Sequence, residues 1–133
     1  SINSSTNTKH LVRAGLESVA YQMVVYLEFM KKTRNLDLKN LSIDGGMVKN
    51  KFFLQIISDL MDIELSIPEM EDMSSYGALL FGIQYYNNYN SFNDLRVFEV
   101  KNSKITPNNN KDIRNSYISW KEIVDKHFVK NQD

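Results

Sequence analysis

The chain has no cysteine, two prolines and one tryptophan in 133 residues, and its 16 basic side chains are cancelled by 16 acidic ones. Without cysteine there is no disulfide framework and no thiolate metal site, and a reducing compartment, the cytoplasm, is the expectation. Without net charge no long-range field gathers nucleic acid or an anionic membrane, so neither is expected as a partner. No apolar run approaches the roughly 20 residues that span a bilayer. The polar start SINSSTNTKH also lacks the basic-then-apolar plan of a secretory leader. What is present is a globular balance, 42 % apolar and 24 % charged, in a length that suits one compact, soluble domain. The first residue is Ser1 and not Met, which raises the expectation of a segment of a longer protein.

Apolar residues recur at helical spacing from Thr8 to about Lys32, with Thr6, Asn7 and Thr8 as capping candidates and Lys31, Lys32 and Arg34 suiting the C-terminal dipole. Gly15 interrupts this helix at a cost of about 1 kcal/mol, and close packing against another backbone is the expected reason. Leu41 and Ile43 alternate with polar neighbours in a short strand. A helix with Phe53, Leu54, Ile56, Ile57, Leu60 and Met61 follows, then a strand alternating Ile63, Leu65 and Ile67 up to Pro68. A third helix is expected from near Ser74 through Leu79, Leu80 and Ile83 to Tyr86. LRVFEV reads as a short edge strand, PNNNKD as a loop, and SYISWKEIVDKHF as a closing helix that docks through Ile118, Ile123, Val124 and Phe128.

This order is an α/β layout with parallel strands flanked by helices. Two parallel strands are too few to give three helices a common face. A fragment of a larger sheet, or a partner that completes it, is therefore expected.

The stretch LSIDGGMVKN carries the strongest functional signal. A strand ends at Asp44, and Gly45 and Gly46 stand where a helix is about to start. There, unpaired N–H groups attract anions, and a missing Cβ lets a ligand reach the backbone. Asn50, on the first turn, could offer its amide to a phosphate or nucleotide. A glycine pair also makes a tight turn with no ligand at all, and spacing alone favours that plainer use.

Other candidates have plain structural readings. His10 and His127 lie near helix ends and do not form a metal site. Glu69, Glu71 and Asp72 suit a helix entrance, Trp120 with Tyr117 suits core packing, and Met23, Met30 and Met61 suit core filling.

Taken together, HLVRAGLESVAYQ at His10–Gln22, LSIDGGMVKNKFFLQIISDLMDIELSIP at Leu41–Pro68 and SYISWKEIV resemble the C-terminal domain of the FGGY carbohydrate kinases, most nearly the glycerol-kinase branch. The family's Val-Asp-Gly-Gly and following Asn match Ile43, Asp44, Gly45, Gly46 and Asn50 without a gap. The resemblance implies that residues 1–133 are the C-terminal portion of a ribonuclease H-like, actin-like ATPase domain. It implies ATP and Mg²⁺ as cofactors, with Gly45, Gly46 and Asn50 at the nucleotide. The glycerol or sugar acceptor would be bound mainly by a missing N-terminal portion, and the full-length enzyme would be a homo-oligomer. No catalytic or metal-binding residue is carried over, because the family's catalytic aspartate lies upstream of the matched part. The alternatives are another sugar kinase of the family, xylulokinase-like, or a degenerate, non-catalytic remnant. Tyr76, where the family has Leu, and Asp62, where it has a helix-ending Gly, depart from the pattern.

Overall fold

Asn7 starts the first helix, α1 (Thr8–Arg34), through a reciprocal pair of hydrogen bonds. The His10 N–H donates to Asn7 Oδ1 at 3.2 Å, and the Asn7 N–H donates to His10 Nδ1 at 3.3 Å. Two orphan donors of the first turn are thereby satisfied, and His10 is structural, as expected. The computed structural model describes residues 2–91, 93–95 and 100–129, with backbone alone for Phe128 and Val129. Arg96–Glu99 of the expected LRVFEV strand lie outside the described residues.

Three strands form the sheet, β1 (Asn40–Ser42), β2 (Glu64–Pro68) and β3 (Asn102–Ile105), in the order β1-β2-β3. The expected parallel pair is present, with Leu41 opposite Leu65. β3 is an addition to the expected sheet: it runs antiparallel to β2 and sets Ile105 opposite Leu65. Leu41, Leu65 and Ile105 thus make one apolar row across three strands. On the other face Glu64 and Lys104 pair at 2.8 Å.

The helix between β1 and β2, α2 (Lys51–Met61), is buried on nearly all sides from Phe53 to Met61. It packs against α1 and the sheet and against α4 (Lys111–Val124). Its apolar side chains form the core with Ala20, Tyr21 and Val24 of α1, Ile63 and Leu65, and Ile113 and Tyr117 of α4. Two polar residues of α2 share this burial, and both are satisfied. Ser58 Oγ donates to the Ile63 carbonyl at 2.8 Å. Asp59 Oδ1 accepts from the Asn108 N–H at 2.6 Å and from Gln55 Nε2 at 3.0 Å, while its carbonyl accepts from Arg114 Nη2 at 3.0 Å. One acidic side chain therefore ties the β3–α4 connection to the core. Asp62 ends α2 at φ 54°, taking the left-handed cap without the glycine that usually supplies it.

α4 docks by a different face from the one expected. Ile113 and Tyr117 are buried, whereas Ile118 and Ile123 are 51 % and 58 % exposed; of the other two expected anchors Val124 is half-buried and the Phe128 side chain lies outside the described residues. Tyr117 Oη and Lys121 Nζ each donate to Glu28 Oε2 at 3.0 Å, fastening α4 to α1. Burial, and then the Glu28 carboxylate, push the Tyr117 phenol above its ordinary range.

Two further expectations are corrected, while the third helix forms where it was expected. Met23 and Met30 of α1 are 45 % and 51 % exposed, and only Met61 fills the core. A Cβ at Gly15 would meet nothing within 4 Å, so no close backbone contact explains that glycine. α3 (Met73–Tyr86) is apolar yet buries no residue among those described. The two misses in α1 share a cause, since that helix carries apolar residues on more than one face and periodicity does not say which face packs.

Replacing Asp59 with Ala leaves the Asn108 N–H and the Gln55 amide without their acceptor. A stability loss of about 2–3 kcal/mol is expected in urea unfolding, with faster amide exchange at 106–110. A loss under about 0.5 kcal/mol, ordinary for a surface site, would refute this role.

Candidate functional site

The parallel strands β1 and β2 end at the same edge, where ligands of α/β sheets are commonly held. Just beyond β1, the Ile43 N–H still donates to the Ser66 carbonyl at 2.9 Å. The chain then turns. The Gly45 N–H donates to Asp44 Oδ1 at 2.7 Å, and Gly45 takes φ +107°, a conformation that side-chain-bearing residues rarely adopt. A single 3₁₀ turn, Gly46–Lys49, follows, with the Val48 N–H donating to Gly45 O at 3.2 Å.

This turn separates the glycines from α2, which the sequence pattern places directly after them. Asn50 is consequently the N-cap of α2 and not a first-turn residue. Its Oδ1 accepts from the Phe53 N–H at 3.1 Å. Half of the amide is thus committed to the helix, and Nδ2 has no hydrogen-bond partner among the described residues. Gly45 and Gly46 are exposed, and a Cβ on either would meet nothing within 4 Å. The bend is therefore open enough for a flat or anionic group to reach the peptide backbone.

The loop after β2 forms the other side of this edge. Lys49 Nζ reaches across to Glu71 Oε1 at 2.9 Å, and hydrogen bonding from Lys49 holds the Glu71 carboxyl below its usual range. Both side chains are solvent-exposed, so the bridge adds little stability. Asp72 caps α3, its Oδ1 accepting from the Ser75 N–H at 2.9 Å and its Oδ2 from Ser75 Oγ at 2.6 Å. The Ser75 hydroxyl, and then its backbone N–H, hold the Asp72 carboxyl low. Glu71 and Asp72 therefore act at the helix entrance, as their sequence position suggested. Val48 and Lys51, on either side of Asn50 in the chain, line a cleft of about 380 Å³ against Ser103 and Lys104 of β3. That cleft was illegible in the sequence because β3 itself was.

The three sequence-predicted residues thus stand together on one bend. Among the described residues no group of three or more His, Asp or Glu could hold a metal ion. Nor, among these residues, is any helix long and apolar enough to cross a membrane. The arrangement can bind and orient a ligand.

Comparison with known proteins shows what this chain is similar to. The family model described as "FGGY family of carbohydrate kinases, C-terminal domain" matches residues 1–84. A glycerol kinase from Vibrio atlanticus is 32 % identical over 124 residues, covering 92 % of this chain and 24 % of its own. Among solved structures, Plasmodium falciparum glycerol kinase with ADP superposes with a TM-score of 0.77 at 21 % identity, over 96 % of this chain and 26 % of that one. Xylulose kinase from Rhodospirillum rubrum gives 0.70 at 18 % identity, over 94 % and 26 %. The chain spans about a quarter of the length of the curated relatives it matches.

Because Asn50 caps α2, Asn50→Ala should cost about 1 kcal/mol with no ligand present, whereas Asn50→Ser, which keeps a capping oxygen, should cost a few tenths. Gly45→Ala should cost about 1 kcal/mol or more from backbone strain. Urea midpoints of the three variants check this ranking, and an Ala at position 45 or 50 without effect would contradict the geometry.

Proposed function

The chain belongs to the FGGY family of carbohydrate kinases, and from that premise we propose that it forms one wall of the ATP site of a glycerol kinase. The observation that carries this reading is the Gly45–Gly46 bend at the carboxyl edge of β1. It is held open by φ +107° and bare of side chains, with the Asn50 amide beside it. In this reading the Gly46 backbone and Asn50 Nδ2 contact the nucleotide, and Gly45 gives the turn its shape. The structurally similar Plasmodium falciparum glycerol kinase was solved with ADP, which supports an adenine nucleotide as the ligand.

Residues 1–133 act as one unit in this proposal, beyond the 1–84 that match the family. Two contacts support that extent: β3 is hydrogen-bonded to β2, and Ile113 and Tyr117 of α4 complete the core. Mg²⁺ would accompany ATP, neutralising charge on the phosphates as they pass to the acceptor hydroxyl. Its ligands, the catalytic carboxylate and the acceptor pocket are not assigned to any residue here. Those groups would come from the rest of a longer, cytoplasmic, homo-oligomeric enzyme. A sugar acceptor is the second reading, supported by the fold shared with the Rhodospirillum xylulose kinase.

The test is a graft of this chain in place of the matching segment of the Vibrio atlanticus enzyme. ATP-dependent glycerol phosphorylation should persist. Asn50→Ser, which preserves the helix cap, should raise the KM for ATP about tenfold, the worth of one lost hydrogen bond, and leave the KM for glycerol unchanged. An active graft whose KM for ATP ignores this substitution would remove Asn50 from the nucleotide site. A folded but inactive graft would favour a non-catalytic remnant.

A further inference from the structure

We draw no further inference here: the strongest candidate, the exposed apolar stripe of Val12, Val19, Met23, Tyr26 and Met30 along α1, is an unpartnered helix face, and nothing in the structure shows what covers it.

Discussion

Burial of α2 is the constraint on which the rest of this structure depends. Leu54, Ile56 and Ile57 are at most 2 % exposed. They face α1, α4 and the sheet together, so no one of these can shift without opening a cavity in a close-packed interior. The position of α2 sets the position of its N-cap, Asn50. The cap in turn fixes where the 3₁₀ turn ends and where Gly45 and Gly46 reach the surface. The bend is thus anchored at one end by β1, which pairs with β2, and at the other by the buried helix α2. Such pre-organisation is what a ligand-contacting loop requires, since little ordering remains to be done when the ligand arrives.

The same core explains why the polar residues of α2 are tolerated. Asp59 and Ser58 would be costly inside an apolar layer if unpaired, yet each bonds to backbone of a connection, Ser58 to the turn from α2 into β2 and Asp59 to the run from β3 to α4. Polar groups here set the paths of connections, and apolar groups supply the cohesion. α3 stands apart from this logic, being apolar but without a buried residue among those described. Relatives about four times as long as this chain have additional surface against which such a helix could pack.

Much of this was legible in the sequence, for local reasons. Asn7 and Asp72 mark helix starts, Ile63, Leu65 and Ile67 alternate through β2, and the match of Asp-Gly-Gly and Asn50 to one family located the bend. Where sequence and structure part, the missing information was tertiary. Asn102–Ile105 carries one apolar residue and forms a strand because β2 offers a free edge. Ile118 and Ile123 are as apolar as Ile113, and only the placement of α2 decides which face of α4 packs. Asp62 adopts a glycine's conformation because the helix must end there for Ile63 to enter the core. The role of Asn50 as a cap was readable in principle, since Asn is a favoured cap residue, but the extra 3₁₀ turn hid the register.

The central claim is that a rigid α2 holds the glycine bend in place for an adenine nucleotide. Hydrogen exchange of the chain with and without ADP measures both halves at once. The account predicts that α2 amides from Leu54 to Met61 exchange slowest in either state, and that ADP adds protection at Gly46 and its neighbours up to Asn50. Protection by ADP confined to other segments, or α2 amides exchanging as fast as those of α3, would contradict it.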